Sequence, residues 1–329
     1  MRIRALASAL PGHKVPASEV SAWVGIDPAF IRNKIGVEEK YFLGADESGV
    51  DLAVAACEKL LSRSDLDLGR VKLLVYVTQN PDFRLPHNAA LLQARLGLGS
   101  NCAAFDINLG CSGYVYALSV AKGFMASEAI SDALIVTCDP YSKIMDRSDR
   151  GTVTVFGDAA TATWMSDQEG LQIGRGDFGT DGSRSNALIV NSGGAADPLL
   201  SVYDEAPKRF DKDQVRLRMN GRAVFDFVVR EVPRSIERCL QLNGVHPDQV
   251  TYYALHQGSR YMLEKLAAEA GLPLEKVTIN IGKYGNTVSS SVPMALEETF
   301  DAAMAREDAR VVVSGFGVGL SWATNVLFH

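Results

Sequence analysis

Two short stretches hold the side chains best placed to do chemistry. In "INLGCSGYVYAL", Ile107 to Leu118, Cys111 stands between Gly110 and Gly113, ahead of a segment apolar on nearly every side. A thiol at the start of a buried helix meets free backbone N–H groups and the positive end of the helix dipole. Both lower a thiol's pKa and favour the nucleophilic thiolate. The two glycines leave room for another chain or a ligand. The plain alternative is a buried structural thiol. The second stretch is "TYYALHQGSR", in which His256 follows an apolar strand at its carboxyl end. Of the other four histidines, His13, His87 and His246 sit in proline-containing turns and His329 is the last residue. A core histidine satisfied by backbone is the ordinary reading of His256.

Two further segments bear on these. Asn286 lies in "KYGNTVSSSVPMAL", where Gly-Asn opening a helix reads first as a turn and an N-cap. Ser289, Ser290 and Ser291, just before Pro293, suggest a helix start packed tightly against another. In "VVVSGFGVGLSW", Val311 to Trp322, three glycines after a buried strand make a turn whose N–H groups can face a ligand. This turn fits neither a P-loop nor a dinucleotide fingerprint.

These segments need strands and helices to hold them, and the chain alternates the two, as α/β proteins with mostly parallel strands do. The order also repeats. "VDLAVAACEKLLSRSDLD" leads into the strand "LLVYVTQN", as "VREVPRSIERCLQLNGVHPDQV" later leads into "TYYALHQGS". "NCAAFDINLGCSGYVYALSVAKGFM" followed by "DALIVTCD" has its counterpart in "KVTINIGKYGNTVSSSVPMALEETFDAAM" followed by "RVVVSGFG". The expectation is two duplicated halves, residues 1–168 with Cys111 and residues 169–329 with His256 and Asn286. Their equivalent turns would meet near a pseudo-two-fold axis, at strand ends where α/β sheets bind ligands.

The bulk numbers narrow the class. The chain has 329 residues, 47% hydrophobic and 22% charged, enough for two core units. A net charge of −6 argues against nucleic-acid binding. No apolar run has the length of a membrane span, and the first residues lack a signal-peptide core, so the cytoplasm is expected. Cys57, Cys102, Cys111, Cys138 and Cys239 are odd in number and widely spaced, which suits neither a disulfide framework nor a zinc site. The four other than Cys111 read as core residues.

Taken together, "GCSGYVYAL", "DRGTVTVFGDAATA", "HQGSR", "GNTVSSSVP" and "GFGVGLSW" occur in an order that resembles the thiolase-fold condensing enzymes. The closest likeness is to the β-ketoacyl-acyl-carrier-protein synthase III family, and it spans nearly the whole chain. It implies an α/β thiolase-like fold with a layered αβαβα arrangement. It puts a Cys, His, Asn triad on Cys111, His256 and Asn286, and an oxyanion hole on the backbone N–H groups of Cys111 and Val318. The implied reaction has two halves: an acyl-CoA acylates Cys111, then a malonyl thioester loses CO₂ and condenses to a 3-oxoacyl thioester, in primary fatty-acid synthesis or a specialised pathway. Coenzyme A and pantetheine contacts fall on Phe30, Lys34, Arg150, Arg222, Phe225 and Ser259. Leu85 matches a position that reaches from a neighbouring subunit to close the acyl pocket, so a homodimer is implied. No metal and no permanently bound cofactor are expected.

Some positions depart from the family's pattern. Ser259 replaces an asparagine, Tyr261 an arginine, and Asp226, Ala268 and Glu269 stand where basic residues dock an acidic carrier protein. Arg216, Arg218, Arg222, Arg260 and Lys265 form either a shifted basic patch or solvated surface, which leaves an acyl carrier protein open as a partner. Three alternatives remain: transfer of the acyl group from Cys111 to an oxygen, nitrogen or other carbon nucleophile; a non-catalytic partner subunit, disfavoured by intact Cys111 and His256; and a cysteine hydrolase, disfavoured by a site closed to water.

Overall fold

The computed structural model describes residues 1–200 and 213–329. Ten strands form one mixed sheet. They are β1 (Arg2–Ala9), β2 (Val71–Val77), β3 (Ala103–Ile107), β4 (Asp132–Cys138), β5 (Ala160–Ser166), β6 (Leu171–Ile173), β7 (Asp177–Thr180), β8 (Tyr252–Leu255), β9 (Arg310–Gly317) and β10 (Ser321–Phe328). The principal helices are α1 (Gly49–Ser62), α2 (Asn88–Arg95), α3 (Gly113–Ser127), α4 (Gly221–Leu242), α5 (Arg260–Ala270) and α6 (Ser291–Met304).

The duplication is visible in strand direction. In the first half β3, β2 and β4 run parallel, and β5 and β1 follow antiparallel. In the second half β8 and β9 run parallel, and β10 and β6 follow antiparallel. A single parallel bridge from Tyr253 to Val277 takes the place of the missing outer strand. The two halves are joined by hydrogen bonds: β1 pairs with β6, Ile3 opposite Leu171, so the sheet is continuous.

Layering follows from which faces are apolar. α3 buries Tyr114, Val115, Ala117, Leu118, Ala121 and Met125, and shares one core with Val292, Ala295 and Leu296 of α6 and with strand residues of both halves. A helix apolar on so many sides has to lie inside. α1 and α2 cover the first half's outer face through Ala53, Ala56, Leu60 and Leu92. α4 and α5 cover the second through Val228, Ile236, Leu263 and Leu266. The result is helix, sheet, paired central helices, sheet, helix. Cys57, Cys138 and Cys239 are buried as expected, but Cys102 is only half-buried, in the bend ahead of β3. The stretch from Val190 to Met219, polar and apolar without a clear period, reads from its sequence as a long loop shaping the pocket, and residues 201–212 of it lie outside the described residues. Among the described residues no helix is long and apolar enough to cross a membrane.

Candidate active site

Cys111 ends the turn between β3 and α3, fully inside the protein. α3 begins at Gly113 with Ser112 as its N-cap, so Cys111 precedes the helix rather than occupying its first turn. Burial dominates its chemistry: desolvation pushes the thiol up to about 12, although the backbone N–H groups of Val318 and of Cys111 itself favour the charged form. The expected depressed thiol is therefore corrected. Desolvation outweighs the helix end, and the resting group is a neutral thiol. The flanking glycines also have a different use from the one expected. A Cβ on Gly110 would lie 2.5 Å from Gln79 Oε1 and 2.8 Å from Val318, and one on Gly113 would lie 2.5 Å from Val77. They make room for the protein's own chain. The glycine that clears space for the thiol is Gly317, whose added Cβ would lie 2.6 Å from Cys111 Sγ.

His256 follows β8, its backbone N–H bonded to Ser314 O at 2.8 Å. Burial lowers its pKa to about 3, so the ring is neutral. Its Nδ1 lies 2.6 Å from Ser291 Oγ, which also reaches Val288 O at 2.9 Å. Phe316 meets the ring edge-on at 5.4 Å between centroids. Nε2 is then the nitrogen left for a ligand. Asn286 is held at three points. Its N–H donates to Val155 O at 2.9 Å, its carbonyl accepts from Gly157 N–H at 3.0 Å, and its side-chain Oδ1 accepts from Val288 N–H at 2.9 Å. That last bond leaves the amide Nδ2, a donor, without a partner among the described residues. The turn is strained, since Val288, a β-branched residue, has φ of 53°.

All three serines of the run are used, each on a different partner. Ser289 Oγ donates to Asp139, Ser290 Oγ lies 2.8 Å from Thr137 Oγ1, and Ser291 holds His256. Asp139 is a residue that sequence reasoning missed, though an acid closing the apolar strand "DALIVTC" was a visible signal. Fully buried, its carboxyl is raised to about 6 by desolvation. It accepts from Gln79 N–H at 2.6 Å and from Ser289, linking the end of β2 to the Asn286 turn. Ser291, Gln79 and Tyr141 were missed as well, because each acts through a neighbour remote in sequence.

Cys111, His256 and Asn286 share one cavity of about 300 Å³ with Phe30, Lys34, Phe225 and Ser259. Lys34 is exposed, and Phe30, 53% exposed, stands at the mouth. Ser259 serves first as N-cap of α5, accepting from Met262 N–H at 3.1 Å. Tyr261 stacks on Phe225 at 5.6 Å. Gly36, with φ of +88°, lets the Phe30–Lys34 turn approach α5, since any Cβ there would strike Arg260. The remaining expected contacts lie outside the cavity wall. Arg150 Nε donates to Val24 O at 3.0 Å, Arg222 is exposed beside Asp226, and Leu85 projects 87% exposed from its loop. Val318 contributes its backbone N–H alone. Of the basic positions near the mouth, Arg216 is taken up by Asp146. Among the described residues no cluster of His, Cys, Asp or Glu is arranged to hold a metal ion.

Comparison with known proteins gives likenesses that span nearly the whole chain. Residues 105–182 match the family model of 3-oxoacyl-[acyl-carrier-protein] synthase III, and residues 240–328 match its C-terminal model. The β-ketoacyl-[acyl-carrier-protein] synthase III of Lactococcus lactis subsp. lactis is 32% identical over 99% of this chain and 98% of its own. A crystal structure of a 3-oxoacyl-(acyl-carrier-protein) synthase III superposes with a TM-score of 0.91 at 35% identity, over 100% of this chain and 99% of that one. The priming β-ketosynthase of the R1128 polyketide pathway gives a TM-score of 0.89 at 25% identity, over 99% and 96%. This chain belongs to the 3-oxoacyl-[acyl-carrier-protein] synthase III family of acyl-transferring, carbon–carbon bond-forming condensing enzymes.

Proposed function

We propose that Cys111 is the nucleophile, His256 and Asn286 the side-chain donors, and the backbone N–H groups of Cys111 and Val318 the oxyanion hole. The observation that carries this is the convergence of all four segments on one buried sulfur. In the first half-reaction the Cys111 sulfur attacks the carbonyl of an acyl-CoA. The C–S bond to coenzyme A breaks, and the cysteine proton leaves on the CoA thiol. The tetrahedral oxyanion forms where the two N–H groups point, so their dipoles need no reorganisation.

In the second half-reaction a malonyl thioester enters the same cavity. Its C–CO₂ bond breaks, and the electron pair passes into an enolate whose oxygen carries the charge. Asn286 Nδ2 is free to donate to that oxygen because Val288 N–H engages Oδ1. Ser291 Oγ, 2.6 Å from Nδ1, holds the plane of the His256 ring, and in the tautomer with its hydrogen on Nε2 the ring too faces the enolate as a donor. Burial keeps the His256 ring neutral, so it meets the enolate with a hydrogen bond and no competing water. The enolate carbon then attacks the acyl-Cys111 carbonyl and expels the thiolate, which takes up one proton.

Acyl-CoA enters past Phe30, Lys34 and the Phe225–Tyr261 stack, while Arg150 and Arg222 meet the outer part of the cofactor-like handle. The malonyl group arrives on CoA or on a carrier protein docked over Arg222, Arg260 and Lys265. Nothing in this scheme calls for a metal or a resident cofactor. Two halves, residues 1–168 and 169–329, supply the site. A second copy pairs along β3, the outermost strand, whose apolar residues are half-buried and open on one side, with Phe83 and Leu85 exposed nearby. Leu85 of that copy would then approach the acyl end. Free thiols at all five cysteines suit a cytoplasmic location.

The test is a mass measurement in two stages. Incubation with a panel of acyl-CoAs should add one acyl group, mapped to Cys111, and subsequent malonyl-CoA or malonyl carrier protein should release CO₂ and discharge the adduct. Asn286→Ala should still form the acyl-enzyme while condensing at least about 100-fold more slowly, as loss of an oxyanion donor does elsewhere. Equal loss of both steps would contradict the division of roles, and no adduct with any acyl-CoA would end the reading.

A further inference from the structure

Gln257 follows His256 and is just as buried, yet the cavity is lined by His256 and Gly258 on either side of it. Its amide reaches the other way, into four bonds with backbone groups. Nε2 donates to Leu255 O at 2.8 Å and to Thr278 O at 3.0 Å, and Oε1 accepts from Asn280 N–H at 3.0 Å and from Ile281 N–H at 3.2 Å. Two carbonyls on one side and two N–H groups on the other allow the amide one orientation. They also fill its hydrogen-bonding capacity, so nothing is left for a substrate.

The sheet explains why these bonds are needed. In the first half the segment leading to Cys111, β3, pairs with β2 from Leu73 opposite Ala103 to Val77 opposite Ile107. The corresponding segment of the second half, residues 277–281, leads to Asn286. Its backbone meets β8 at the Tyr253–Val277 bridge and through Thr278 N–H, bonded to Tyr253 O at 3.0 Å. Beyond Thr278 the ladder gives way to the Gln257 amide. Asn280 and Ile281 are buried, so their N–H groups need partners, and Oε1 serves both. Ile281 O then accepts from Gly285 N–H at 2.8 Å, across the short helical turn Ile281–Tyr284. Asn286 is the next residue. An unbroken run of bonds thus joins the neighbour of His256 to the neighbour of Asn286.

We infer that Gln257 is a positioning residue for the condensation: its amide stands in for the missing strand pairing and sets the distance between His256 and Asn286. The inference rests on the proposed role of these two side chains as donors to the enolate. Both must reach one oxygen, so their spacing bears directly on decarboxylation. Acylation draws instead on the N–H groups of Cys111 and Val318, which stand on other segments. Val155 O and Gly157 N–H hold Asn286 from its far side, so loss of Gln257 shifts the arm without releasing it. A shift of about 1 Å in a reacting group costs on the order of 100-fold in rate.

The test reads two rates in each variant by intact mass. The first is single-turnover acylation of Cys111 by the acyl-CoA that loads the unaltered protein fastest. The second is discharge of that acyl-enzyme by malonyl-CoA, with CO₂ counted. Gln257→Met keeps a side chain of similar length and removes all four bonds. Its ratio of discharge to acylation should fall by about ten- to 100-fold. The loss should fall on the maximal discharge rate and leave the half-saturating malonyl-CoA concentration unchanged, as when an interaction of the transition state alone is lost. Gln257→Glu guards against misfolding of the methionine variant. It keeps the bonds from Asn280 and Ile281 and, as the neutral acid that burial favours, donates one of the others. Its ratio should fall by less. Three results would overturn the inference: both steps slowed alike in both variants, an unchanged ratio in both, or a loss confined to the half-saturating concentration. An unaltered acyl-enzyme that malonyl-CoA and malonyl carrier protein both fail to discharge would instead refute the enolate chemistry on which it rests.

Discussion

Gly317→Ala isolates how closely the second half presses on Cys111. An added Cβ would stand 2.6 Å from Cys111 Sγ and 2.8 Å from Cys111 Cβ. Non-bonded carbons settle at roughly 3.5–4.0 Å, so one side has to yield by about 1 Å. β9 is poorly placed to yield, because Gly317 pairs with Ser321 of β10 and Phe316 before it is buried against His256. Cys111 is then the group that moves, losing its alignment with Val318 N–H. A misplacement of about 1 Å costs on the order of 100-fold in rate, and overpacking of this kind costs about 1–3 kcal/mol in stability. The expected outcome is acyl-enzyme formation slowed about 100-fold, in a protein that still folds and melts a few degrees lower. The assay is single-turnover acylation by mass beside a thermal melt. Gly123→Ala is the control, exposed on α3 with nothing near its would-be Cβ, and should acylate normally. Gly317→Ala acylating within about three-fold of the unaltered protein, with an unchanged melt, would refute the claim that this glycine sets the room around the sulfur.

Ser291→Ala removes the hydroxyl 2.6 Å from His256 Nδ1 and should slow malonyl decarboxylation by about ten-fold or more, in keeping with a lost hydrogen bond of about 1–1.5 kcal/mol and a freed ring; acylation by acyl-CoA should change far less, and Ser291→Thr should restore part of the loss. Since burial pushes the Cys111 thiol up to about 12, the thiolate fraction rises about ten-fold per pH unit below that value. Alkylation of Cys111 by iodoacetamide should therefore climb steadily from pH 6 to about pH 10 without levelling; a plateau near neutrality would show a thiolate that the structure does not support.

Cys111, His256 and Asn286 could be singled out because their places punctuate the pattern, although each alone reads as an ordinary structural residue and only the order of the five motifs, through a family resemblance, joined them. Cys111, His256 and Asn286 each end an apolar strand or open an apolar helix, and hydropathy alone marks those junctions. The layers were legible for the same reason: a helix as apolar as α3 has only the interior to occupy. What stayed hidden depends on contacts between segments far apart in the chain. No local pattern shows that Ser289, Ser290 and Ser291 divide their hydroxyls among Asp139, Thr137 and His256. The state of the thiol was misread on similar grounds. Helix position is local, but the burial that raises Cys111 comes from the closed fold, which brings Gly317 beside it and gathers Phe156 and Val288 into the same cluster.

The repeated strand pattern also relates the turns around Cys111. β2 and β8 occupy matching places in the two halves, as do β4 and β9. The turns that follow them match as well. His256 leaves β8 as Thr78 and Gln79 leave β2, and Val318 leaves β9 as Asp139 and Tyr141 leave β4. Cys111, ahead of α3, and Asn286, ahead of α6, are likewise counterparts. Around the single sulfur the second half's turns present donors: the ring of His256, the amide of Asn286 and the N–H of Val318. The first half's equivalent turns present Gln79 and Tyr141, locked to each other and to Asp139. Only one side of a pseudo-symmetric pair can hold the nucleophile, because two thiols would compete for one pocket. With Cys111 in the first half, that half's other turns are free of chemistry and available as walls. On this argument the walls and the proposed donors are the same structural element used twice.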